Sequence, residues 1–176
     1  MEMSDVELVD AARHGDEQAF KELVMRHEGK VAGVVHSMLG SGAEAEDVGQ
    51  EVFVRFYQAL DKFKGESLVS TYLIRIAINL SLNEIKRRNR RSSLFAREEE
   101  GRYSAAPEGA TDINEIVQYE LKRLDDDFHS VVTLRLIEGY STEETAELLH
   151  IPLGTVLSRL SRAQKKLKAV LAKHMV

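Results

Sequence analysis

Residues 141–171 read STEETAELLHIPLGTVLSRLSRAQKKLKAVL, and this stretch decides how the C-terminal half of the chain folds. Ser141 and Glu144 have the S-x-x-E spacing of a capping box, in which each side chain satisfies a free backbone N–H at a helix start. The spacing predicts a short helix that buries Ala146, Leu148 and Leu149. His150-Ile151-Pro152 ends it, because the residue before a proline is driven out of the helical region. A second helix is predicted from about Leu153. At a helical repeat of about 100° per residue, Val156, Leu160, Ala163, Leu167 and Leu171 line one side of it. Ser158, Ser161, Arg162 and Lys165 fall opposite, with Leu157 and Arg159 at the two edges. A helix, a tight turn and a second helix with an apolar back and a basic front form the pattern of a helix-turn-helix DNA reader. An ordinary amphipathic helix pair with a solvated charged face has the same periodicity. The capping box, the proline turn and the lopsided positive charge favour the DNA reader.

The whole chain has 176 residues, 43% hydrophobic and 30% charged, which suits one ordinary or two small helical domains. Two prolines, no tryptophan and scattered glycines argue against a sandwich or barrel, which needs frequent turn signals. The absence of cysteine excludes disulfides, thiol catalysis and Cys-based zinc sites, and fits a reducing, cytoplasmic location. The six histidines (His14, His27, His36, His129, His150, His174) form no metal-binding pair. With no Walker loop, dinucleotide fingerprint or nucleophile elbow either, no catalytic residue, metal or cofactor is expected. The N-terminus is acidic and amphipathic, unlike a secretory signal, and no apolar run reaches membrane-spanning length, so no membrane insertion is expected.

A net charge of −5 is unusual for a DNA binder, since phosphate contacts supply most non-specific affinity. The charge is segregated, however. Cations gather in 86–91 (KRRNRR) and in 159–173, and acids in 44–51, 98–100, 125–127 and 143–147. Such a chain should bind DNA weakly alone and better when a larger partner presents the duplex.

Upstream, one or two helices are predicted between Asp5 and Leu39, with a break at His14-Gly15-Asp16 and a core of Leu8, Val9, Ala12, Ala19, Phe20, Leu23, Val24, Val31, Val34, Val35 and Met38. A helix follows in AEAEDVGQEVFVRFYQALDKF, with Val48, Val52, Phe56, Leu60 and either Tyr57 or Phe53 inward. After a short loop, 64–67, the next helix buries Tyr72, Leu73, Ile76, Ala77 and Leu80 and ends in the basic run. Periodicity stops in SSLFAREEEGRYSAAPEGA, which reads as a flexible linker where Leu94, Phe95 and Tyr103 could dock transiently. It resumes with Ile113, Ile116, Val117, Leu121 and Leu124, and after the triple Asp with Val131, Val132, Leu134 and Leu136, closed by Gly139. The fold class is thus all-α: two small helical domains, 4–91 and 112–174, joined by a linker over 92–111, the second a helix-turn-helix at about 142–161.

Taken together, these blocks resemble an extracytoplasmic-function (ECF) sigma factor of bacterial RNA polymerase, in the sigma-70 family. The first block carries 15–20 (GDEQAF), 45–53 (AEDVGQEVF), 63–67 (FKGES), 72–79 (YLIRIAIN) and the basic run. The second carries Leu134-Arg135, Glu138-Gly139-Tyr140-Ser141, Ala146, Ile151-Pro152, Gly154-Thr155-Val156, Ser158-Arg159 and Arg162-Ala163. The chain departs from the family pattern at Tyr72 (usually Trp), Asn83 (often acidic), Leu157 (often basic), Asp125 (often Pro) and His150 (often Gly).

The resemblance implies an alternative sigma factor that binds core polymerase and directs promoter-specific initiation under anti-sigma control. Its implied partners are the clamp helices of the largest subunit, the β-subunit flap, promoter DNA and an anti-sigma factor. Asp47, Gln50, Glu51, Phe53, Arg55 and Tyr57 would bind the polymerase. Phe63, Lys64, Gly65, Ser67, Tyr72, Asn79, Asn83, Arg87, Arg88 and Arg91 would engage the melted −10 element. Thr155, Ser158, Arg159, Ser161, Arg162, Lys165 and Lys166 would meet the −35 element. Aromatic stacking of an extruded base contributes about 1–3 kcal/mol, which gives the loop chemistry a physical motive. By composition alone, Phe53, Phe56 and Phe63 read better as core, and Asn79 better as a nucleic-acid contact than as a buried amide. Arg159 could also lie along the backbone or pair with Glu143 or Glu147. The rival readings are a two-domain helix-turn-helix regulator acting without polymerase and a protein-binding helical adaptor.

Overall fold

The structure, a computed structural model, describes residues 3–98 and 113–174. Eight α-helices and no strand are present among them. They divide into two compact units, Met1–Ser81 and Leu82–Val176.

In the first unit, α1 (Asp5–Arg13) and α2 (Glu17–Leu39) are separate helices, as the His14-Gly15-Asp16 break predicts. Ser4 and Glu7 form a capping box at the start of α1, the Glu7 carboxylate accepting from the Ser4 N–H at 2.7 Å. That N–H and the Ser4 hydroxyl hold the Glu7 carboxyl below its ordinary value. Asp16 opens α2, accepting from the N–H groups of Gln18 and Ala19 at 2.9 and 3.1 Å. Helix α3 (Ala43–Ala59) runs into a 3-10 turn, Leu60–Lys62, and α4 (Val69–Glu98) begins after the loop. The core is Leu8, Val9, Leu23, Val31, Val34, Val35, Met38, Val52, Phe56, Leu73 and Ala77, all at most 3% exposed. Two predicted core residues of α4, Tyr72 and Ile76, are only half-buried, while Ile74 and Ile78 are buried. The helix is therefore covered on a wider arc than one apolar stripe.

Helix α4 also outruns its predicted end. It continues seven residues past Arg91, through the start of the expected linker, because Ser92–Glu98 contains no glycine or proline to stop it. The rest of that linker, with Tyr103, lies outside the described residues, as do the side chains of Leu94 and Phe95.

In the second unit, α5 (Ile113–Lys122) and α6 (Asp126–Val132) pack against α8 (Leu153–His174) around Leu121, Val132 and Ala163. Asp125 is the N-cap residue of α6, so the acidic triplet belongs to the start of a helix, where its charge is favourable. Residues Thr133–Ile137 form a π-helical turn. This widened turn breaks the 3.6-residue repeat, and Leu136, predicted as core, is 50% exposed. Burial, aided by the charges of Glu138 and Glu144, pushes the Tyr140 phenol up. Helix α7 (Thr142–Leu149) starts with the predicted Ser141–Glu144 capping box, at 2.7 and 3.0 Å. It buries Leu148 and Thr145 and half-buries Ala146 and Leu149. Its end is a Schellman turn: His150 takes φ 53°, with Ile151 N–H on the Ala146 carbonyl at 3.1 Å and His150 N–H on Glu147 at 3.3 Å.

Candidate nucleic-acid interface

In the first unit, five rings meet where α3 ends and α4 begins. Phe56 lies 5.9 Å from Phe63, 5.8 Å from Tyr72 and 6.2 Å from Phe20; Phe63 and Tyr72 meet edge-on at 5.0 Å, and Phe20 meets Tyr57 at 4.9 Å. Such pairs contribute about 0.5–1.5 kcal/mol each beyond the area they bury. Phe56 and Phe63 are core, as their composition suggested, at 0% and 7% exposure, and Phe53 is half-buried. Phe63 therefore supports the loop from beneath. The groups it leaves outward are Lys64, Gly65 and Glu66, with Ser67 half-buried. Gly65 turns the loop at φ 72°, a left-handed conformation that a side chain would strain.

Helix α4 follows the loop and carries the remaining candidates. Asn79 is exposed although Ala77, Ile78, Leu80 and Ser81 around it are buried, so it is not a buried amide. Asn83 is exposed one turn further on, and Arg75, which sequence reasoning passed over, is half-buried one turn before. Of the basic run, Arg87 and Arg88 share the buried carboxylate of Glu84, at 2.8 and 3.7 Å. Arg90 and Arg91 are exposed. With Lys86 also paired to an acid, the run is thus two open cations beside three that already hold one.

On α8, Val156 and Ala163 are buried, and Leu160, Leu167 and Leu171 half-buried, as the stripe predicts. Ser158, Ser161, Arg162 and Lys165 are exposed, and Thr155 is half-buried. Among the described residues, no hydrogen bond or ion pair engages the side chains of Ser161, Arg162 or Lys165, whereas Ser158 donates to the Thr155 carbonyl at 3.1 Å. Leu153 and Leu157, one turn apart, are 41% and 50% exposed. The acidic triplet occupies the other cations: Asp127 takes Arg159 at 2.7 Å and Asp125 takes Lys166 at 3.0 Å. Arg159 thus pairs with Asp127 and not with Glu143 or Glu147. Lys166 also lies 4.5 Å from the centre of the Phe128 ring. Asp126 completes the set with Lys86 at 3.3 Å.

The outer face of α3 presents Asp47, Gln50, Arg55 and Tyr57, with Glu51 half-buried and paired to Arg55 at 2.8 Å. Val54, not singled out from the sequence, joins them at 48% exposure beside Tyr57 at 54%. A groove of about 360 Å³ borders this face, lined by Val24, Glu28, Val31, Ala32, His36, Ala45, Glu46, Gly49, Gln50 and Phe53. No cluster of three or more potential metal ligands occurs among the described residues. No helix among them is long and apolar enough to cross a membrane.

Comparison with known proteins matches residues 23–91 to sigma-70 region 2 and residues 114–167 to sigma-70 region 4. The chain is 35% identical to the RNA polymerase sigma-H factor of Pseudomonas aeruginosa, covering 95% of this chain and 93% of that one. It is 36% identical to the ECF RNA polymerase sigma-E factor of Escherichia coli K12, over 93% and 92%. Among solved structures it resembles CnrH in complex with the cytosolic domain of CnrY, at TM-score 0.68 and 27% identity over 96% and 97% of the chains. It also shares the fold of the sigma factor RpoE of Bartonella quintana, crystallised with the anti-sigma factor NepR, at TM-score 0.63 and 23% identity over 87% and 96%.

Proposed function

This chain belongs to the ECF sigma factors of the sigma-70 family, and from that premise we propose how its surfaces divide the work. As an alternative sigma factor it binds core RNA polymerase and promoter DNA and directs transcription initiation; it is not an enzyme. The domain carrying residues 4–91 takes the polymerase and the −10 element, and that carrying 112–174 takes the −35 element. On α3, Asp47, Gln50, Glu51, Phe53, Arg55 and Tyr57 meet the clamp helices, with Val54 as an added apolar contact. The loop from Lys64 to Ser67, braced by Phe63 and Tyr72, receives an unstacked −10 base. Asn79 and Asn83 line its approach on α4, and Arg90 and Arg91 follow the phosphates. Helix α8 enters the major groove of the −35 element, where Arg162 and Ser158 are placed for base edges and Lys165 for phosphate. The β-flap is a further contact of the second domain. The reading puts the protein in the cytoplasm, with the polymerase.

One observation carries this division best. Asn79 stands exposed on α4 although its chain neighbours Ala77, Ile78, Leu80 and Ser81 are buried, one turn from exposed Asn83, and the helix follows a glycine-turned loop with outward Lys64. Neither packing nor helix stability asks for amides there. Control by an anti-sigma factor is supported by two solved neighbours, RpoE with the anti-sigma factor NepR and CnrH with the cytosolic domain of CnrY.

Run-off transcription with core polymerase tests the whole reading: no transcript without the chain, a promoter-specific transcript with it. Asp47→Lys with Glu51→Lys should weaken core binding and leave helicity unchanged. Unaltered core binding would remove the α3 face from the assignment. A regulator that binds its operator equally well without polymerase would replace the reading altogether.

A further inference from the structure

Helix α1 lies ahead of the residues that match sigma-70 region 2, which begin at residue 23, and none of the surfaces above uses it. It is nonetheless tied at both ends. At its start, Asp5 accepts from His27 Nε2 at 2.7 Å and from Arg26 Nη1 at 3.2 Å, both on α2. Along its length Leu8, Val9 and Ala12 are buried. At its last residue, Arg13 Nε donates to the Leu60 carbonyl at 2.7 Å, and Arg13 Nη2 donates to the Phe63 carbonyl.

Those two carbonyls bracket the 3-10 turn in which α3 ends, and Phe63 is the residue from which the loop departs. Helix ends leave carbonyls with spare acceptor capacity; that of Leu60 already takes the Phe63 N–H at 3.2 Å and has a second lone pair for Arg13. A planar guanidinium can serve two acceptors at once in fixed geometry; an ammonium is a point charge on a flexible stem. The Phe63 ring is held from below by Phe56 and Tyr72, which leaves its carbonyl as the handle that sets where Lys64 begins.

We propose that Arg13 is a positioning residue for promoter melting: its fork on the Leu60 and Phe63 carbonyls fixes the take-off of the Lys64–Ser67 loop, with α1 as the brace that holds the fork in place. The inference rests on the reading that this loop receives an unstacked −10 base. Arg13 itself touches no DNA in this scheme. It acts by holding a backbone segment in the geometry that base capture needs, and a small displacement of that segment is enough to weaken a pocket whose contacts are directional.

The test uses full-length chain in holoenzyme, as Arg13→Ala and Arg13→Lys beside Lys64→Ala and Ser67→Ala. Measured are open-complex rates on duplex promoter, binding to single-stranded −10 oligonucleotides varied one base at a time, the salt slope of that binding, and the melting temperature. Arg13→Ala, which removes two hydrogen bonds from a charged donor, should slow opening at least roughly tenfold. It should also flatten the preference at the captured base while leaving the salt slope unchanged, and Arg13→Lys should recover only part of either. Retained preference with a lower melting temperature would reduce Arg13 to a stabiliser of α1 and overturn the proposal. A salt slope reduced by one contact would make it a phosphate ligand and overturn it equally. If Lys64→Ala and Ser67→Ala both leave the preference intact, the loop reading fails and takes the Arg13 inference with it. If either flattens the preference and Arg13→Ala does not, only the inference on Arg13 fails.

Discussion

Neutralising the acidic triplet should make promoter binding tighter. Arg159 and Lys166, which the family resemblance puts against the −35 element, are held by Asp127 and Asp125 at 2.7 and 3.0 Å. A phosphate that captures either cation must compete with a carboxylate already in contact, and the carboxylate also repels the phosphate. The Arg159 side chain is 25% exposed and Asp127 65%, whereas Lys166 and Asp125 are 53% and 72% exposed, so the first pair is the better shielded. Exposed pairs contribute about 0.2–1 kcal/mol. If the upper half of that range is returned to DNA binding, Asp127→Asn tightens it by about three- to fivefold, and Asp125→Asn, from the lower half, by about threefold or less. Asparagine preserves shape, so packing on α8 is little disturbed. Loss of negative charge in the first turn of α6 costs about 0.3–1 kcal/mol of stability, which the melting temperature reports separately. Holoenzyme binding to a promoter fragment, followed across a salt series, is the assay. The advantage of Asp127→Asn should shrink as salt screens the competition, since the Debye length falls from about 10 Å at 0.1 M to about 3 Å at 1 M. Unchanged or weaker binding at low salt would mean that Arg159 keeps Asp127 in the complex and is no DNA contact at all.

Four further outcomes follow from the same geometry. Arg162→Ala, at an exposed cation free of partners among the described residues, should cost about 1–3 kcal/mol on the preferred −35 sequence and flatten one base pair, read from binding across a varied −35 set. Asn79→Ala and Lys64→Ala should slow opening of duplex promoters and matter less on pre-melted templates; equal defects on both would point to core binding or folding. His150→Gly should raise the stability of the second unit by up to about 1–2 kcal/mol, the cost a side chain bears in the left-handed region, measured by denaturant unfolding. Finally, the lowered Glu7 carboxyl contributes to α1 above its unfolded value, and that contribution is lost as pH falls through the folded one; the Ser4 amide shift should report the loss.

What could be read from the chain alone divides by distance along it. The capping box at Ser141, the His14-Gly15-Asp16 break and the apolar stripe from Val156 to Leu171 are signals within a turn or two, and each appears in the structure. The π-helical turn at Thr133–Ile137 has no composition cue, and the repeat that points Leu136 inward does not hold there. Apolar periodicity in α4 is lost at Arg91, which marks the end of packing and not the end of hydrogen bonding, so the helix runs on to Glu98. Site residues show the same limit. Exposed Asn79 was legible because an amide among apolar neighbours is locally anomalous. The engagement of Arg159, Lys166 and Arg13 was not, because their partners lie 32 to 50 residues away.

The ring cluster beneath the loop also has an optical consequence. The chain contains no tryptophan, so its near-ultraviolet emission comes from five tyrosines. Tyr72 is half-buried and its ring centre lies 5.0 Å from that of Phe63. Tyr72→Trp would give the free chain a single indole, excitable apart from every other residue and seated within stacking reach of a captured nucleobase. A base that stacks on an indole quenches it, so binding of a −10 oligonucleotide would register as a loss of light, in real time and with no attached dye.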